Sequence, residues 1–213
     1  MLVRHRGHEP LVDPSAFVAP TATLVGDVRV GPRARVMYGA VLDAEASRIE
    51  VGECAILCEH AVLRATAAGG TSRPVVLADH VFVGPHATLL GCRVGRCVYL
   101  ATGATVLQAA RIGAGGSIAV GALVHGGAVV PEEFFVPPNM VAVGDPARVV
   151  PIDDPGALAE AVRSTNFAQL AFGVEANWED RIARYEQAAE VRSGEFAEHA
   201  DDVVLPGADQ AAR

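Results

Sequence analysis

The segment Val83-Gly84-Pro85-His86-Ala87-Thr88-Leu89-Leu90-Gly91-Cys92 decides how the chain is read, because its aliphatics Val83 and Leu89 stand six residues apart. The spacing continues on both sides. Upstream it runs through Val18, Leu24, Val30, Val36 and Leu42, and after a slip through Val51, Leu57 and Leu63; a second run starts at Leu77. Downstream, one residue is lost and the register resumes at Val94, Leu100, Val106, Ile112, Ile118 and Val124. A period of six is neither the 3.6 of a helix nor the alternation of a single strand. A short fixed repeat belongs to a solenoid, in which each unit buries its aliphatic only against its neighbours.

Each hexad reads as aliphatic, small, two variable residues, small, variable. The aliphatic points inward and the small residues, often glycine, let the backbone turn sharply. Three such units close one triangular coil. The expected fold is an all-β solenoid, a parallel β-helix of hexapeptide repeats resembling the left-handed form, over residues 1–150. C-terminal α-helices and a tail follow over 151–213.

Composition narrows the function classes. The chain has 213 residues, enough for one domain with an appendage, and its 5% aromatic content suits a narrow interior filled by small aliphatics. A formal charge of −8 without a basic block argues against nucleic acid or an anionic membrane as partner. The sequence contains no lysine, which excludes Schiff-base, pyridoxal-phosphate and phosphate-loop lysines. The first residues lack an apolar signal core, and no apolar run approaches the roughly 20 residues that span a bilayer, so a cytoplasmic location is expected. Cys54, Cys58, Cys92 and Cys97 lack CxxC spacing and are expected as reduced thiols in the solenoid wall.

In chain order, residues 1–11 read as a lead-in covering the open end of the solenoid, with His5 and His8 at the surface. About seven coils run from Val12 to Val130, and the Gly-rich stretch 65–74 projects from one corner as a loop. Pro131 onward leaves the solenoid, and 143–150 forms a final extended piece. Residues 157–163 and 178–188 have helical spacing, the second with Trp178, Ile182 and Tyr185 on one side, to pack on the solenoid or on a neighbouring subunit. The acidic tail from Ser193 reads as frayed.

Several segments together resemble the γ-class carbonic anhydrases and their hexapeptide-repeat relatives. They are FVAPTATLVGDVRVGPRARV at 17–36, YGAVL at 38–42, VGECAIL at 51–57, VGPHATLLGCRVG at 83–95 and VGDPARVV at 143–150. The resemblance implies a homotrimer of left-handed β-helices with zinc held between subunits by three histidines. It also implies that those ligand positions are filled here by Arg64, Pro85 and Leu90. Leucine and proline carry no lone pair and a guanidinium stays protonated, whereas catalytic zinc requires three donors and an open position. Supporting positions differ too, with Cys58 at a glutamine position and Asp43 and Glu45 where an arginine and an aspartate are usual. The zinc-hydroxide chemistry is therefore expected to be lost.

Aligning Leu63 with Leu89 on adjacent coils makes His60 and His86 neighbours, with Glu59 beside them and Arg64 at the edge of the same cleft. Glu59, His60, Arg64 and His86 then form a polar pocket for a small carboxylate or acyl ligand, Arg64 acting as clamp and a histidine as acid or base. The alternative is that they are solvated or interface-pairing residues that replace the metal between subunits. His125, one residue after the inward Val124, is a second candidate base. Three functions follow: a zinc-free binding or assembly protein, or an enzyme using metal-free acid–base chemistry; an acyltransferase using coenzyme A, with His125 or His86 as base; and a carbonic anhydrase with a rebuilt zinc site. No cofactor is expected on the first reading, and coenzyme A stays open on the second.

Overall fold

The computed structural model describes residues 1–67, 70–175 and 180–206. They form a left-handed parallel β-helix of about eight turns with three walls. The first wall has seven strands, from Leu11–Val12 to Val129–Val130, and the second seven, from Phe17–Val18 to Phe135–Val136. The third wall has ten, because Leu2–Arg4, Arg148–Val150 and Val203–Val204 add to its ends.

The sixfold register is the core. Leu24, Leu42, Leu63, Leu89, Val106 and Val124 stack from coil to coil along the third wall, and all are fully buried. Each such side chain contributes about 1.5–3 kcal/mol by leaving water. Ala22, Ala40, Ala61, Ala87, Ala104 and Ala122 fill the corner before that wall with no exposed surface, and a larger side chain has no room there. Backbone approach is equally close where glycine follows the aliphatic. A Cβ at Gly113 would stand 2.5 Å from the Glu132 nitrogen of the next coil.

The solenoid runs further than the prolines suggested. Phe135–Val136 and Val141–Val143 continue the second and third walls, with Val130, Val136 and Ala142 keeping the sixfold spacing. Pro131, Pro137 and Pro138 occupy corners outside the strands, where proline's missing N–H costs no ladder bond. The projecting loop closes on itself through an antiparallel bridge between Thr66 and Arg73.

Three helices follow. α1 (Pro155–Arg163) starts at Asp154, whose side chain accepts the Ala157 N–H at 3.0 Å, and packs Ala157, Leu158 and Ala161 on Val143 and Val150. α2 (Phe167–Phe172) lies over Gly126 and Gly127. α3 (Arg181–Ala197) is capped by Asp180 through the Ala183 N–H. Its expected apolar side is not the packed one: Ile182 and Tyr185 are 74% and 60% exposed, and Trp178 lies outside the described residues. Arg184 and Ala188 are buried, and Arg192 on the same helix face pairs with the solenoid acid Glu45.

The described part of the tail has regular structure. A 3₁₀ turn, Glu198–Asp201, leads into Val203–Val204, which pairs antiparallel with Leu2–Arg4. This strand covers the edge of the first coil, whose unpaired backbone would otherwise face solvent. It also buries His5, which is 2% exposed and not a surface residue, while His8 is exposed as expected.

Candidate functional site

The corner between the second and third walls carries His60 and His86. Both hold left-handed backbone, each at φ 57°, and are anchored by N–H donation to the carbonyls of Tyr38 and Glu59 on the preceding coil, at 3.1 and 3.0 Å. Their rings stack with centroids 5.2 Å apart and planes 12° from parallel, about one coil spacing. Gly39 continues the column below. Its φ is +71°, and an added Cβ would fall 2.4 Å from His60 Nδ1, so the imidazole lies directly over a position that only glycine can fill. Both histidines are exposed, with the half-buried Glu59 next to them. Burial, reinforced by the Glu59 charge, pushes the Cys58 thiol up, so it stays protonated at neutral pH.

Arg64 is elsewhere. It ends the strand Val62–Arg64, whose other end follows the His60 corner, and it lies in register between Asp43 and Leu90 on neighbouring coils. Its Nε is 3.6 Å from Asp43 Oδ2 and 3.4 Å from Glu45 Oε1, and its guanidinium lies over the Phe196 ring at 5.2 Å. Asp43 and Glu45 are buried, and Arg192 from α3 clasps Glu45 through two bonds of 2.6 and 3.0 Å. Desolvation opposes the charge on Arg192, but the Glu45 and Glu195 carboxylates outweigh it and raise its pKa. Arg64 is thus a member of a buried ion network under α3, while the histidines sit at the other end of its strand.

His125 is two coils beyond Leu90 on the same wall and is 5% exposed, its ring 5.2 Å from Phe167 of α2. Desolvation lowers its pKa, partly countered by the Gly126 backbone, and its Nδ1 is a buried atom without a partner, as is Oε1 of nearby Gln108. Chemically it is a neutral imidazole with a free ring nitrogen, shielded by α2.

The sequence reading singles out neither Arg192, which lies beyond the expected helix 178–188, nor His199 and Asp202, which fall in the tail read as frayed from Ser193. The signal that pointed to them was the β-branched pair Val203-Val204 at the end of an acidic run.

No family model matches the chain. Gamma carbonic anhydrase 1, mitochondrial, of Arabidopsis thaliana is 30% identical over 165 residues, covering 76% of this chain and 58% of that protein. The carbonic anhydrase of Geobacillus kaustophilus is 28% identical over 150 residues, 70% of this chain and 77% of that one. The chain spans about half the length of the plant relatives it matches, 58% and 54% of the first two. A solved hexapeptide transferase family protein from Anaplasma phagocytophilum superposes with a TM-score of 0.61 at 24% identity, covering 91% of this chain and 97% of that one. That likeness supports the fold. Among the described residues no helix is long and apolar enough to cross a membrane.

Proposed function

We propose, from the chain's place in the hexapeptide-repeat superfamily of left-handed β-helices, that it is a γ-carbonic-anhydrase-like trimer without a catalytic zinc triad. In this reading it binds a small carboxylate or acyl ligand, or supports assembly, at the cleft between subunits. The observation that carries the proposal is the state of Arg64. A guanidinium stands where the resemblance puts the first zinc ligand, tied to buried Asp43 and Glu45 and packed under Phe196. Neither it nor the Leu90 side chain beside it offers a lone pair to a metal.

The distribution of outward residues supports a cyclic trimer. The first wall presents Arg29, Glu50, Arg93 and Arg111, with the apolar Leu11, Val76 and Val129 in the same register. The second presents Phe17, Ile56, Phe82, Tyr99 and Phe135 with Arg35 and Ser117 among them, and the third Val41, Val62, Thr88, Thr105 and Leu123. A closed ring joins two different patches of each protomer, and the two walls that meet at the His60–His86 corner, apolar at most of their outward positions, supply such a pair. The histidine corner would then face the shared interior, where the two imidazoles and Glu59 can bind an acid or pass a proton.

The test is carbon dioxide hydration by the purified protein with saturating zinc. The expected result is no acceleration over buffer. Zinc-dependent catalysis at a rate typical of a metal-hydroxide enzyme defeats the proposal.

A second reading, acyl transfer from coenzyme A, rests on the neutral, unpartnered ring nitrogen of His125. It requires α2 to move aside. It predicts saturable coenzyme A binding that weakens on His125→Ala, and absence of binding removes it.

A further inference from the structure

We infer that His5, His199 and Asp202 form a site for a borderline transition-metal ion such as Zn²⁺, independent of the cleft discussed above, which fastens the C-terminal tail to the first coil. The three residues come from the two ends of the chain, and one ligand atom from each lies within 4.8 Å of the others. Asp202 Oδ1 is 2.6 Å from His5 Nδ1, and Asp202 Oδ2 is 2.9 Å from His199 Nδ1. The two Nδ1 atoms face the two oxygens of one carboxylate, and the rings stack with centroids 4.3 Å apart and planes 19° from parallel, so joint ligation turns one ring until both lone pairs meet at the ion. Two imidazole nitrogens and one carboxylate are a zinc-type donor set, with ligand distances of about 2.0–2.2 Å and an open fourth position.

The surroundings fit this assignment. His199 Nε2 lies 3.7 Å from Oδ2 of Asp43, itself 5% exposed, so the ring is flanked by a carboxylate on the side away from the donor. That is how a metal-bound imidazole is oriented and its basicity raised. His5 is fixed by its own burial, and its backbone exchanges two hydrogen bonds with His8 at 2.9 and 3.0 Å. Access exists: a cavity of about 200 Å³, lined by His5, Arg6, Glu45, Ala46, Ala67 and Glu195, adjoins the cluster and can supply water to the open position.

The experiment titrates the chelator-treated 213-residue chain with Zn²⁺, and separately with Co²⁺ read by its visible d–d absorption. One equivalent per chain is expected, together with a rise in Tm under saturating Zn²⁺. Both are lost in His199→Ala and in Asp202→Asn, and Asp43→Asn weakens the affinity on the order of 10–100-fold. Far-ultraviolet circular dichroism checks that each variant is folded. Retained stoichiometric binding in folded His199→Ala overturns the assignment, as does absence of binding to the native chain. His60→Ala with His86→Ala keeps the equivalent if the tail site holds it. Loss of the metal in that variant overturns the tail site and points to the corner histidines.

Discussion

His125 shows how one residue sets a property of the whole fold. Its imidazole is buried against Phe167 and its pKa is lowered from 6.5, mainly by desolvation. The unfolded chain therefore takes up a proton near pH 6.5 that the folded chain refuses. Folding is favoured in full above that pH, and the contribution is lost as pH falls from 6.5 through the lower folded value. Replacing His125 with Phe removes the group, so the variant's Tm should fall less steeply than the native Tm below pH 6.5. Parallel slopes in that window would mean that burial of His125 does not govern the titration. At the same scale, Leu89→Ala empties a fully buried position between Leu63 and Val106 and should cost about 2–5 kcal/mol in urea unfolding. Positions of this kind were legible from sequence, because a sixfold aliphatic register leaves each of them one geometry. His125 was placed on the correct wall by the same logic. Its burial was not, because α2 covers it and the packing of a helix 40 residues further on leaves no trace in a local repeat.

At the scale of elements, α3 and the tail carry more than their composition suggested. The polar run Arg192 to Asp202 has low hydrophobicity, and read alone it cannot order itself. Its partners are on the solenoid: Glu45 and Asp43 are buried acids that need cations, and Leu2–Arg4 is a strand edge that needs a neighbour. The order of the tail is thus set by long-range complementarity, the one class of signal a single-sequence reading lacks. His60 and His86 are the contrasting case, since stacking of adjacent coils follows from the repeat and so was legible. Arg64 was read at the edge of the same cleft; within one protomer the length of Val62–Arg64 separates it from the histidine corner, and the acids at Asp43 and Glu45 hold its guanidinium. Removing Arg192 leaves Glu45 buried beside Arg64 alone. Arg192→Ala should therefore destabilise the protein on the order of 3 kcal/mol, the cost of breaking a buried pair by one partner. It should also speed amide exchange at Val203 and Val204, which are held by the same segment. Native-like protection there would show that the strand docks without the ion network.

At the scale of the whole molecule, the walls differ in what they offer a partner. The first wall mixes charged residues with an exposed Leu11, while the second carries an aromatic stack, Phe82 over Tyr99 at 5.3 Å, with Tyr99 48% and Phe135 55% exposed. Exposed aromatics aligned along one wall of a solenoid are costly unless covered, and the helices do not cover them, since α1 and α2 pack at the far edge of the third wall. The proposed trimer buries this stripe against the aliphatic and threonine face of the next protomer. Tyr99→Arg places a charge in the middle of that contact without touching the interior, because Tyr99 points outward while Leu100 beside it fills the core. Sedimentation should therefore report the native protein at three chains and Tyr99→Arg at one, with unchanged far-ultraviolet circular dichroism. Arg93→Glu on the first wall, a change of two charges against the one that Tyr99→Arg makes, should leave the assembly at three. If Tyr99→Arg also sediments as a trimer, the second wall is not the contact, and the His60–His86 corner would then lie at the outer surface, open to solvent in every protomer.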